Sequence, residues 1–349
     1  MKQYYAGLDV SMEETAICTV DEKGVIAYEE MVPTKPKLID MCLKAKGLPI
    51  EKISLESGSL SHWLVKELMS FGWRVVCIDA RSISAVLALN TNKTDRNDAR
   101  GIAEALRSQC KYSREVYHKS QGSIELGTLL GARRTLVEQR TATNNTIRGL
   151  LKAYGICLGV GGNEKISQFV RDKIINQQEV TKLGFEPLLV IFETLNKEIE
   201  KTEETLLKIA KEDAVVKRLM TIPGVGFITA LTYKVTIDDP SRFKQSNTVG
   251  AYLGMAPKQR SSGAMKRQGR ISKCGSKELR TLLAGAGLSL LMRCKKESAL
   301  KTWGLKIQEH HGNKKACMAI GRKMAIIMHR IWSNNTVFDP GISKETSNK

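Results

Sequence analysis

No apolar run in this chain approaches the length of a membrane span, and the opening MKQYYAGLDV has no signal-peptide pattern. Neither a membrane-bound nor a secreted protein is expected. The eight cysteines, at 18, 42, 77, 110, 157, 274, 294 and 317, include no CxxC pair and no histidine at ligand spacing. That argues against a zinc site, and a chain of 349 residues can bury a sizeable core without a disulfide framework. Cys18 and Cys77 lie inside apolar runs and read as small hydrophobes. The five histidines form no obvious triad. A Gly/Thr-rich phosphate loop is missing as well: SMEET follows the GLDV strand where an actin-like or sugar-kinase ATPase would carry that loop. No nucleotide cofactor is expected. Aromatics make up only 5% of residues, and none falls between Lys258 and Arg280, the most basic stretch. A surface that stacks on bases is therefore disfavoured there.

Positive charge is abundant, and its distribution is uneven. The net charge is +19, yet residues 1–112 hold 15 basic and 15 acidic side chains and are neutral. The remainder holds 40 basic and 21 acidic residues and carries the whole excess. Such an excess suits a polyphosphate partner, whose counterions are released on binding.

The first hundred residues alternate strand and helix signals. Tyr4–Val10, Thr15–Val20 and Val25–Val32 read as three short strands joined by polar turns. A helix near Leu38–Lys46, a strand at Lys52–Leu55, a helix at Leu60–Phe71 and a strand at Arg74–Ile78 follow. Three strands and then βαβα is the order of the ribonuclease-H fold. Four acids occupy the positions where that fold presents carboxylates at one sheet edge. Asp9 and Glu56 end two apolar runs, while Asp95 and Asp98, three apart, open a helix and share a face. Four converging carboxylates resist ionising unless cations share the site, and Mg²⁺ is suited to a few carboxylates plus substrate phosphates. Phosphoryl chemistry on nucleic acid is the expectation.

From Ser113 the texture changes to long helices. Apolar residues recur at three- and four-residue steps from Leu126 to Tyr154, and at heptad spacing from Leu188 to Ile209. Either an antiparallel helical pair or an oligomeric coiled coil would bury these seams. A third region begins near Val215, where Pro-Gly-Val-Gly resembles a helix-hairpin-helix turn; the amides of Gly224 and Gly226 could meet a phosphate. Between Lys258 and Arg280 lie eight basic residues and one acid, interleaved with serine and glycine. That mixture favours gripping a sugar–phosphate backbone, with Lys258, Arg260, Lys266, Arg267, Arg270, Lys273 and Arg280 as candidates. Beyond Thr336 a polar, disordered tail is expected.

Taken in order, Asp9, Glu56, Asp95/Asp98, IPGVG, LGMAPKQRSSG and GRISKCGSKELR resemble the DEDD transposases of insertion sequences, whose relatives include Piv-type DNA invertases. The resemblance runs from Gly7 to about Trp332. It implies an α/β ribonuclease-H-like (RuvC-like) domain at 1–112 and a helical coiled-coil region at 113–212. A mainly α transposase domain would occupy 213–335, with a tail at 336–349. It also implies a serine nucleophile in a Ser-Gly pair, which falls on Ser262, with Ser261 adjacent. Mg²⁺ or Mn²⁺ would sit on Asp9, Glu56, Asp95 and Asp98. The implied partners are donor and target DNA, an element-encoded structured guide (bridge) RNA, and other copies of the chain in a dimer or tetramer, in the prokaryotic cytosol or nucleoid. A metal-dependent nuclease or junction resolvase using water, and a DNA invertase, are the competing activities.

Overall fold

The structure is a computed structural model that describes residues 2–88, 92–109, 114–159, 166–262 and 265–341, without the side chains of residues 85–86, 260–262 and 265–268. The chain divides into two compact units, Met1–His118 and Lys119–Lys349.

In the first unit the alternation of apolar and small residues builds a five-stranded sheet. Strands β1 (Tyr4–Val10), β2 (Glu14–Asp21) and β3 (Ile26–Pro33) are antiparallel, while β4 (Ile50–Glu56) and β5 (Val75–Ile78) add parallel to β1's other side. The order β3-β2-β1-β4-β5 is that of a ribonuclease-H-like sheet, as the sequence order suggested. Period-two alternation sends Ala6, Leu8, Ile53 and Leu55 to one face. There they pack on Ile39 and Leu43 of helix α1 (Pro36–Ala45) and on Leu64, Val65 and Leu68 of helix α2 (Ser61–Ser70). The other face is lined by smaller residues. Ala16, Cys18 and Val20 pack against Ala99 and Ala103 of helix α4 (Asp95–Arg107), which follows α3 (Ala80–Leu87).

The second unit opens with α5 (Gln121–Lys152), α6 (Ile166–Ile174) and α7 (Glu179–Glu212). Arg133 pairs with Glu203 and Arg140 donates to Asn196, so α5 and α7 run antiparallel. Each is about 50 Å long. The heptad residues Phe192, Leu195, Ile199 and Leu206 are buried within the chain, the first of these against Ile147 and Leu151. Helices α8 (Ala214–Leu219), α9 (Phe227–Ile237), α10 (Asn247–Tyr252), α11 (Lys277–Met292), α12 (Ala299–His311) and α13 (Asn313–Asn334) form the remaining core, in which the Tyr233 hydroxyl donates to the Ala325 carbonyl. Between α10 and α11 lies a two-stranded ribbon that the sequence patterning did not suggest, β6 (Pro257–Ser262) with β7 (Met265–Ile271).

The expectation of disorder beyond Thr336 fails as far as Gly341. The Phe338 amide donates to Thr221, Phe338 packs on the core, and the Pro340 carbonyl accepts from the Ala299 amide. Residues 342–349 lie outside the described chain.

Candidate active site

Each acid of the first unit owes its place to a strand or helix end. Asp9 is the penultimate residue of β1 and Glu56 the last of β4, so both reach the same edge of the sheet. Gly7 and Ser54 precede them by two residues and share their face, against which α4 lies. At Gly7 a methyl group would collide with the backbone of Ala99 and Ala103, so only glycine lets the helix come this close. The buried Ser54 hydroxyl donates to the Ile102 carbonyl at 3.2 Å. The acid pair stands in α4's first turn, capped by Thr94, whose hydroxyl accepts the Asn97 amide. Asn97 Nδ2 in turn donates to the Asn92 carbonyl. Arg100 donates to Asn97 Oδ1 and to Glu29 of β3 at 2.6 Å, tying the helix to the far side of the sheet.

The electrostatics show these carboxylates acting on one another. Partial burial, then Asp98, Asp95 and Glu56 in that order, push Asp9 up to about 6. Glu56 is raised by burial and by Asp98, and Lys93 opposes the rise at both groups. Among the described residues no three Asp, Glu, His or Cys side chains form a closed cage for an ion. The donors are all hard oxygens and Asp9 resists ionising without a nearby cation, which fits a divalent ion that completes its shell with water and substrate oxygens. Sequence reading overlooked Gly7, Ser54, Asn97 and Arg100. A small residue two places before each strand-end acid is the signal that could have found the first two.

The histidines take other roles. His329 is buried between the Ser246 hydroxyl, on Nδ1, and the Pro240 carbonyl, on Nε2. The rings of His62 and His118 lie 6.0 Å apart, and burial followed by the His62 charge lowers His118.

In the second unit Ser262 is the last residue of β6 and pairs with Met265, while Ser261 pairs with Lys266 and Arg260 with Arg267. The side chains of these residues lie outside the described part. Lys258, Arg270 and Lys273 are exposed around the ribbon. Arg280 is not: it is 8% exposed, and its Nη1 donates to the carbonyls of Leu253, Cys274 and Gly275. The expectation that it grips phosphate is therefore corrected, because its charge is spent on closing the ribbon's base. Gly226 is exposed at the start of α9, while Gly224 (φ +90°) faces the backbone of α11 at Ala286.

Two family models match. Residues 6–156 fit the IS110-type DEDD transposase domain, and residues 216–302 fit the Transposase IS116/IS110/IS902 family. The transposase for insertion sequence element IS1111A of Coxiella burnetii is 30% identical, over 94% of this chain and 88% of its own length. The chain belongs to the IS116/IS110/IS902 transposase family. Similar to this transposase, too, are a probable family 20 transposase of Pseudomonas aeruginosa (27% identical over 85% of this chain and 88% of that protein) and the pilin gene-inverting protein of Moraxella bovis (30% identical over 36% of this chain and 38% of that protein). Thermus thermophilus RuvC aligns at a TM-score of 0.25 and 12% identity, over 33% of this chain and all of that one. The ribonuclease-H-like topology is carried by the strand order, not by that likeness.

Proposed function

We propose that this transposase cuts and rejoins DNA through a covalent phosphoserine, with divalent ions held by Asp9, Glu56, Asp95 and Asp98. The observation that carries the metal-ion part of this reading is Asp9, pushed up to about 6 by burial and by the other three acids. A carboxylate kept from ionising by its neighbours is a site prepared for cations. Mg²⁺ or Mn²⁺, when bound, would supply Lewis-acid stabilisation of a phosphate.

The remaining work falls to the chain's own residues. Ser262, ahead of Gly263, is the proposed nucleophile, with Ser261 the alternative. Its Oγ forms a bond to phosphorus, the bond to the 3′ oxygen breaks, and the serine proton is passed on as the 3′ hydroxyl leaves. The energy of the broken ester is kept in the phosphoserine, so rejoining needs no nucleotide cofactor. Lys258, Arg260, Lys266, Arg267, Arg270 and Lys273 would hold phosphates, with the Gly226 end of α9 nearby in sequence. Proposed partners are donor and target DNA, an element-encoded guide RNA, and further copies of the chain in a dimer or tetramer.

A suicide DNA substrate tests this directly. Ser262→Ala is expected to lose the covalent protein–DNA adduct, and Asp9→Asn to lose Mg²⁺-dependent activity while still binding DNA. An adduct that survives Ser262→Ala would shift the role to Ser261 or, if Ser261→Ala is also silent, end the phosphoserine reading. Free ends with no adduct in the unaltered protein would identify a nuclease that uses water.

A further inference from the structure

Far from the ribbon, at the opposite end of α11, the second unit gathers a group of cations that make no ion pair among the described residues. Gly287 of α11 abuts Cys317 of α13, and Gly321 abuts Leu283, so the two helices run antiparallel. The C-terminus of α11 thus lies beside the N-terminus of α13. Helix α12 joins α13 through the single residue Gly312 and packs along it at Gly304, against Ile320. One end of this three-helix cluster therefore collects the chain leaving α11, the end of α12 and the start of α13.

That end displays Arg293, Lys295, Lys296, Lys306, Lys314 and Lys315, all exposed. None has an ion-pair partner among the described residues; Glu297 is engaged by Lys301, and the other acid of this region is the exposed Glu309 of α12. Lys314 and Lys315 stand in the first turn of α13, which contains no acid and has no side-chain cap. Positive charge there opposes the helix dipole, so the arrangement disfavours the isolated fold and suits an anionic ligand. Helix α11 has 16 residues, so the patch lies about 24 Å along its axis from the base of the ribbon. At about 3.4 Å per nucleotide of duplex, that is roughly seven base pairs. The two surfaces cannot share one phosphate.

We propose that this end of the α11–α13 cluster is a second contact for the sugar–phosphate backbone of duplex DNA, in addition to the β6–β7 ribbon. The inference rests on the reading of this chain as a DNA-processing recombinase. Its chemistry is that of a flexible polyanion clamp: lysines and an arginine at a helix corner, without aromatics for stacking, take phosphates irrespective of sequence. The spacing of about 24 Å from the ribbon, roughly seven base pairs along one duplex, favours duplex DNA as the occupant.

The test is the salt dependence of binding by the full-length protein, with a 30-base-pair duplex and a hairpin RNA as separate probes. Combined Lys295→Gln, Lys314→Gln and Lys315→Gln changes touch only exposed side chains. The slope of log K against log salt is expected to fall by about 2 to 3 on the duplex, at about 0.9 per phosphate. A fall on the duplex supports the proposal, and a fall on the RNA alone overturns it. Unchanged slopes on both, while Lys258→Gln with Arg270→Gln lowers them, overturn this inference and leave the recombinase reading intact. An unaltered protein with no salt-dependent binding overturns that reading itself. Loss of self-association with slopes intact would mark a protein interface and overturn the proposal.

Discussion

Asp9 reports on its own surroundings through its proton. Its carboxyl is held at about 6 against an ordinary 3.8, so between these values the folded protein keeps a proton that the unfolded chain has lost. Stability from this group is therefore fully present below about 4 and falls as pH rises to about 6. Urea unfolding of metal-free protein should show that decline, and Asp9→Asn should flatten it. At pH 7.5 the variant should be more stable by on the order of 1 kcal/mol, a figure reduced for Asp9's partial exposure. Equal pH profiles for both proteins would refute the mutual repulsion. Gly7 is the second residue to test. A methyl group there meets helix backbone, which no side-chain adjustment can relieve, so Gly7→Ala should cost about 1–3 kcal/mol and move Asp98 away from Asp9. Asp9 should then titrate nearer its ordinary range. Were Gly7 only a packing residue, the melting temperature would drop with the titration unmoved.

Among the elements, the β6–β7 ribbon and its base separate two kinds of basic residue that look alike in sequence. Arg280→Gln would leave three carbonyls without their donor and should destabilise the fold by about 2–3 kcal/mol, with little effect on the salt slope of DNA binding. Lys258→Gln should do the reverse, lowering the slope by about 0.9 with the thermal melt unchanged. Calorimetry and fluorescence titration of the two variants distinguish these outcomes. The strands of the first sheet were legible because YYAGLDV and IEKISLE are short runs bounded by polar turns, with centres buried on both faces. The α5–α7 pair was legible as a helical seam, although spacing alone left open whether it closes within one chain. The ribbon was not legible: PKQRSS and MKRQGRI lack apolar alternation, and their pairing is a backbone matter. Nor does composition distinguish the buried Arg280 from its exposed neighbours.

On the scale of the whole molecule, the four acids and the basic excess fall in different parts of the chain. Residues 1–112 are neutral and contain all four acids, whereas the excess of 19 positive charges lies beyond them. Changes in the two parts should therefore be independent in effect. Glu56→Gln should abolish metal-dependent cleavage without altering the salt slope. The paired Lys258→Gln and Arg270→Gln changes should weaken DNA binding at physiological salt while Asp9 titrates as before. A single variant set read by both measurements checks this, and a Glu56→Gln slope that shifts by a full unit would contradict it.

The acids come from β1, β4 and α4, and the last of these closes over a face of the sheet lined by Gly7, Ala16 and Cys18. In chain order all five strands of the first sheet precede Asp95 and Asp98. A chain cut between Ile78 and Asp95 keeps the five strands but only Asp9 and Glu56 of the four acids. The set of four acids is therefore complete only once that one short helix has docked on the sheet.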